Sequence, residues 1–200
     1  DQALHACRAA LQCQRALTEL NARRAANNTP PFITRLGLHT GFTIVGNMGR
    51  NERLNYTALG DNVNLASRLE GINKHYGTSI IISQSTYRYV RNQFILRPLD
   101  LVAVPGKSNS VLIYELMGDQ DSEGCEQLQD LARQFQGAFN LYLEREWVAA
   151  LDILQPLLEV FPGDQPTAMY LERCRGLLET DPGPEWSGII RLNRGDYKSG

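Results

Sequence analysis

An α+β fold followed by a separate all-α segment is what this chain predicts, and three observations carry the reading. Between residues 32 and 117, short runs rich in Ile, Val and Thr alternate with stretches of helical period, with Gly or Pro clusters between them. From Cys125 onward the apolar period becomes helical and no strand pattern returns. Between the two lies a polar, acidic stretch, residues 118–124, that reads as a linker. The chain has 200 residues, 42% hydrophobic and 21% charged, which is ordinary for a globular protein and leaves room for one medium domain and a smaller one.

The first element is a helix over residues 2–26. Leu4, Cys7, Leu11, Leu17 and Leu20 recur at helical spacing, and Arg23 and Arg24 sit where cations suit the helix dipole. Residues 27–31 close it with breakers. Residues 32–45 alternate and read as one long strand, with Gly37 and Gly41 allowing close backbone approach or a bulge. Gly46-Asn47-Met48-Gly49 reads as the turn of a hairpin whose second strand spans residues 53–59. Asp61 or Asn62 is placed to cap a helix ending near His75, with Gly77 as its stop. Val63, Ala66, Leu69 and Ile72 form its expected core stripe. A buried strand at 78–82, a short helix capped by Ser83, and strands at 94–104 and 110–117 follow. Three amphipathic helices come next. One carries Leu131, Phe135 and Ala138; the second Trp147, Leu151 and Leu154, with Pro156 expected to kink it; the third begins at Pro166. They resemble one and a half tetratricopeptide-type repeats, too few to bury their own face, so they should dock on something. The tail, residues 181–200, is rich in Gly and Pro and reads as flexible.

Charge and cysteine usage exclude several functions. The net charge is -2, and the basic residues are scattered, so nucleic acid is not an expected partner. Apolar runs such as residues 80–82 and 42–45 are far too short to cross a bilayer. Cys7, Cys13, Cys125 and Cys174 show no zinc-type spacing and read as unpaired thiols in a reducing, cytoplasmic setting. The chain opens on Asp1, already in helical pattern, and is expected to be a fragment.

The run YTALGDNVNLASRLE, residues 56–70, is the most informative stretch. It puts Asn64 and Arg68 four residues apart on a helix, so an amide and a guanidinium lie on one face, one above the other. Such donors beside a glycine-bearing hairpin suit the handling of phosphate. An Asn/Arg pair on a helix is by itself more often a solvated face or half of an ion pair, for instance with Glu70. His39 reads as a packed or dimer-facing residue, and Asp61 as a cap and not a metal ligand.

The longer run GNMGRNERLNYTALGDNVNLASRLE, with LGLHTG before it and TSIIIS and VLIYEL after it, resembles the class III nucleotidyl cyclases, the adenylate and guanylate cyclases. The likeness covers residues 1–117. It implies a partial ferredoxin-like sheet of βαββαβ type, antiparallel, with helices on one face. It implies a catalytic domain lacking its N-terminal metal-binding part, residues 118–124 as linker and residues 125–180 as a helical region. The implied reaction converts ATP to 3′,5′-cyclic AMP and pyrophosphate for intracellular signalling, with Mg²⁺ or Mn²⁺ as cofactor. In the family pattern Asn64 orients the ribose and Arg68 stabilises the α-phosphoryl group. Thr57, just after the strand tyrosine, resembles the base-selecting position of adenylate cyclases. Lys107 stands near where a family lysine reaches the triphosphate, although Pro105 replaces the lysine of that pattern. In the family pattern the two metal-binding aspartates lie in an opening strand and a following hairpin, upstream of the helix with which this chain begins. Family members are homodimers with composite sites, so this chain alone is expected to be inactive. Bacterial relatives often hang the catalytic domain below a membrane-anchored sensor. The alternative reading is a non-catalytic dimerisation or regulatory module whose helical tail recruits a protein partner.

Overall fold

The computed structural model describes residues 1–50, 53–103, 110–122 and 124–191. The element order is α1 (Gln2–Ala26), β1 (Leu36–Leu38), β2 (Ile44–Arg50), β3 (Arg53–Leu59), α2 (Asp61–Tyr76), β4 (Ile80–Ser83), α3 (Gln84–Val90), β5 (Phe94–Ala103), β6 (Ser110–Asp119), α4 (Glu126–Leu143), α5 (Trp147–Val160), α6 (Gln165–Glu179) and β7 (Ile189–Ile190). No helix among the described residues is long and apolar enough to cross a membrane.

The main sheet has the order β1-β4-β6-β5-β7. It is mixed: β6 runs antiparallel to β4 and β5, while β1 pairs with β4, and β7 with β5, in parallel. Alternation along β4 explains why the run Ile80-Ile81-Ile82 is wholly buried. Ile80 and Ile82 pack with Cys7 and Leu11 of α1 and Val90 of α3. Ile81 points the other way, onto Leu65, Leu69, Ile72 and Tyr76 of α2. Helices therefore cover both faces, not the single face expected. The core stripe of α2 is Leu65, Leu69, Ile72 and Tyr76, whereas Val63 and Ala66 are only half-buried.

Residues 32–45 do not form one strand. Only Leu36–Leu38 pairs with β4, and the chain then leaves the sheet. Local side chains capture it there: Thr40 bonds Thr86 Oγ1 at 3.0 Å, and Asn62 Nδ2 donates to the Phe42 carbonyl at 2.6 Å. The hairpin turn does not fall at residues 46–49 either. Gly46 to Gly49 lie inside β2, with Gly46 opposite Thr57 and Gly49 opposite Leu54, because β3 satisfies their backbone.

The α4–α6 unit has its own core, in which Phe135, Ala138, Leu154, Tyr170 and Cys174 are almost fully buried. It docks on the α2 side of the sheet, where Ala132 of α4 meets Ile95 of β5, with Met117 of β6 packed against them. α5 continues through Pro156. β6 extends to Asp119, so the strand absorbs the first two residues of the expected linker. The described part of the tail, residues 181–191, is built into the fold. Trp186 stacks edge-on with Tyr142 and Trp147, and Ile189 and Ile190 add a parallel strand beside Leu101 and Val102.

Ions tie the helical unit to the sheet. Arg97 of β5, 2% exposed, donates from Nε to Glu115 of β6 at 2.7 Å. Its two terminal nitrogens grip both oxygens of Asp164 at 2.8 and 2.7 Å. Asp164 is also the N-cap of α6, accepting from the Thr167 amide. Burial pushes the Glu115 carboxyl upward, and the Arg97 charge offsets this only in part. For Asp164 burial acts in the same direction, but the bonds from Arg97 and Thr167 outweigh it and hold the carboxyl below its ordinary value.

Candidate active site

The site is organised by α2 and by the strand that feeds it. β3 ends at Leu59, Gly60 serves as N-cap, and its carbonyl accepts the amides of Val63 at 3.1 Å and Asn64 at 3.2 Å. Neither Asp61 nor Asn62 caps the helix through its side chain, contrary to the sequence expectation. Asn62 is occupied elsewhere. Its Oδ1 meets His39 Nε2 at 3.0 Å, and His39 Nδ1 meets Ser83 Oγ at 2.8 Å. Ser83 in turn caps α3 by accepting the Thr86 amide. His39 is thus a packed bridge between the ends of β1 and β4 and the first turn of α2.

Close approach fixes the middle of α2. A Cβ on Gly37 would overlap the Ala66 carbonyl oxygen and the Glu70 amide nitrogen, so only glycine lets β1 lie against this helix. Asn73, fully buried, donates to the Leu36 and Leu69 carbonyls and accepts from Thr78 Oγ1. At the far end Gly77 adopts the left-handed conformation, φ 66, that closes the helix. There the Tyr76 hydroxyl donates to Asp100 Oδ2 at 2.6 Å. Burial first, and the Asp100 charge second, raise the Tyr76 phenol well above its ordinary range.

On this fixed helix Asn64 and Arg68 each precede a buried leucine, Leu65 and Leu69, and so stand about 100° round from the core. They are one helical turn apart, about 6 Å along the axis. Asn64 is exposed and Arg68 half-exposed. Among the described residues Arg68 forms no ion pair, with Glu70 or any other acid. Thr57 is exposed on β3, opposite Gly46. Lys107 lies outside the described residues. The β2–β3 hairpin and the loop before it expose an apolar surface: Phe42 is 102% exposed, Ile44 71% and Tyr56 76%.

Among the described residues no group of three or more His, Cys, Asp and Glu side chains could hold a metal ion. Among the described residues α2 presents an amide, Asn64, and a guanidinium, Arg68, on one face, groups chemically suited to donate to phosphoryl oxygens. Sequence reasoning passed over the buried polar side chains that hold α2: Asn73, Tyr76 and Asp100. The available signal was Arg97 and Asp100 interrupting an otherwise apolar strand pattern.

Residues 1–118 match the family described as "Adenylate and Guanylate cyclase catalytic domain". Adenylate cyclase 1 of Rhizobium meliloti is 46% identical over 114 residues, covering 57% of this chain and 17% of that protein. The terminal-differentiation-specific adenylate cyclase of Dictyostelium discoideum is 34% identical over 176 residues, covering 86% of this chain and 8% of that protein. The second likeness is longer than the family match and so runs on into the helical unit. The chain spans less than a fifth of the length of either relative. Among solved structures, the guanylyl cyclase Cya2 is 29% identical with a TM-score of 0.51, covering 62% of each chain. With its cyclase residues matched over more than half its length, the chain belongs to the adenylate and guanylate cyclase catalytic domain family.

Proposed function

We propose that this chain supplies the transition-state half of an adenylate cyclase site, with Asn64 and Arg68 as the residues that act on the nucleotide. In the reaction the ribose 3′-oxygen of ATP loses its proton and bonds to the α-phosphorus. The bond from that phosphorus to the bridging oxygen breaks, and pyrophosphate leaves. Negative charge spreads over the α-phosphoryl oxygens on the way. A planar guanidinium held on a rigid helix stabilises that charge without reorganising, and Arg68 has this form. Asn64, one turn earlier, donates to the ribose and keeps the 3′-oxygen in line.

The observation that carries the reading is the half-exposed Arg68 with no acidic partner among the described residues, on a helix anchored at both ends within a cyclase-family domain. Thr57 is the proposed base contact, and ATP the preferred nucleotide, because the relatives named above from Rhizobium meliloti and Dictyostelium discoideum are adenylate cyclases. A divalent metal, Mg²⁺ or Mn²⁺, belongs to the reaction in this family, but the described residues do not fit one, so its ligands come from outside them. The exposed apolar hairpin supports assembly as a homodimer with composite sites. The first domain then covers residues 1–117, and the helical region residues 125–180.

The test is a chain extended upstream by the segment carrying the metal-binding aspartates, incubated with Mg²⁺ or Mn²⁺ and either ATP or GTP. Cyclic AMP from ATP is expected. Cyclic GMP in its place would reverse the base assignment, and neither product would favour a non-catalytic module.

A further inference from the structure

The helical unit meets the catalytic helix at one definite place. Arg173 of α6 donates to Asp100 Oδ2 at 2.6 Å, and the same oxygen accepts from Tyr76 in the last turn of α2. Asp100 is 1% exposed and Tyr76 fully buried, and Arg173 covers them from the edge, with its side chain 18% exposed. Gln165, in the first turn of α6, donates to the His75 carbonyl at 3.1 Å, one of the last carbonyls that α2 leaves without a helical partner. A Cβ on Gly77 would run into the Gln165 side chain, so α6 is seated directly on the end of α2. Tyr170 donates to the Leu99 carbonyl at 2.8 Å, and Met169 packs on the α2 core. Arg173 also lies over the Tyr170 ring, 4.8 Å from its centre, so it joins the α4–α6 core to the Asp100 link, while Met169 packs on the α2 side.

We propose that α6 is a positioning element for the cyclase site, and that Arg173 is a positioning residue that sets the stance of α2 through Asp100 and Tyr76. This rests on the reading that Asn64 and Arg68 act on the nucleotide. Two arginines of different purpose are then linked by one rigid helix. Arg68 stands at its middle, and Arg173 holds its last turn through Asp100 and Tyr76. A helix pinned at both ends cannot tilt, and transition-state contacts are sensitive to shifts of about 1 Å, which can cost up to about a hundredfold in rate. The likeness to the Dictyostelium discoideum cyclase, which continues past the catalytic residues into this unit, fits a helical unit that works with the site.

The test compares Arg173→Met with the pair Asp100→Asn/Arg173→Met in the full-length protein. The single change strands a buried carboxylate and lowers both stability and kcat. The pair removes that charge, and the amide oxygen introduced by Asp100→Asn still accepts from Tyr76 while its NH2 turns toward the Leu101 amide, which loses its acceptor, so most of the stability returns but the Arg173 hold on α2 does not. Expected for the pair are a melting temperature recovered to within about 4 °C of wild type, a kcat at least about fivefold down, and a KM within about twofold of wild type. If kcat recovers together with stability, Arg173 is a stability residue only and the proposal falls. Hydrogen exchange on the present chain gives a readout independent of activity. Amides of residues 73–76 should exchange about tenfold faster in the pair, and unchanged exchange there contradicts the proposal. A wild-type protein that makes no cyclic nucleotide would sink the functional reading instead, and would leave the exchange result standing.

Discussion

Replacing Arg97 by Met should be the most damaging single change to the junction between sheet and helical unit. Arg97 is 2% exposed and makes three charge-assisted bonds, one to Glu115 and two to Asp164. Met keeps the aliphatic stem that passes Phe135, whose ring centre lies 4.9 Å from the guanidinium carbon. The change therefore costs little packing but strands two carboxylates in a dry region. Breaking a buried ion pair from one side costs about 3–5 kcal/mol. In a protein of this size that is a fall in melting temperature of roughly 6–20 °C. Urea unfolding followed by circular dichroism measures the first quantity and a thermal melt the second. Adding Glu115→Gln and Asp164→Asn removes both stranded charges, and the new Asn side chain still caps α6. The triple variant should regain most of the loss. A cost below about 1 kcal/mol for Arg97→Met would place the cluster with surface salt bridges and refute the reasoning.

Gly37→Ala should push β1 off α2, because its Cβ meets α2 backbone and no rotamer can relieve that. A loss of about 1–3 kcal/mol in urea unfolding is expected, and a wild-type midpoint would contradict the packing described. Alkaline stability follows from buried thiols and phenols with raised pKa values. Burial pushes the Cys7 and Cys174 thiols up to about 11, and the Tyr114 and Tyr142 phenols up to about 12. The unfolded chain deprotonates first, so stability is complete below about pH 9 and falls as pH rises toward 12. A flat stability profile across that window would disagree. Thiol labelling of the folded chain at pH 8 should modify the exposed Cys13 quickly and spare Cys7 and Cys174, read by peptide mass.

The parts of the fold that follow from local pattern were legible in the sequence. The α2 helix with its Gly77 stop, the buried run at Ile80–Ser83 and the Ser83 cap all depend on neighbours within a few residues. So did the pairing of Asn64 with Arg68, because four residues of helix fix it. What failed were features decided by distant partners. The break after Leu38 arises from bonds that Asn62, Ser83 and Thr86 make to residues 39–42. The hairpin turn was misplaced because Gly46 and Gly49 found β3 partners, which Gly-rich composition disguises. The docking of α6 rests on Arg97 with Asp164 and Asp100 with Arg173, pairs separated by 67 and 73 residues. No periodicity reports such pairs; charged residues inside an apolar strand only announce that partners exist. β7 is two residues long and follows Gly and Pro, so composition pointed away from it.

The central claim is that Arg68 carries the transition-state charge. The direct measurement is cyclic AMP formation from ATP by the upstream-extended, metal-supplied protein with Arg68→Ala beside the wild type, at matched circular dichroism. Removing one such donor costs at least about a hundredfold in kcat. Because the side chain is half-exposed and without an acidic partner among the described residues, the melting temperature should stay within about 2 °C, the small change expected for a surface substitution. An Arg68→Ala protein that turns over ATP at the wild-type rate would contradict the account.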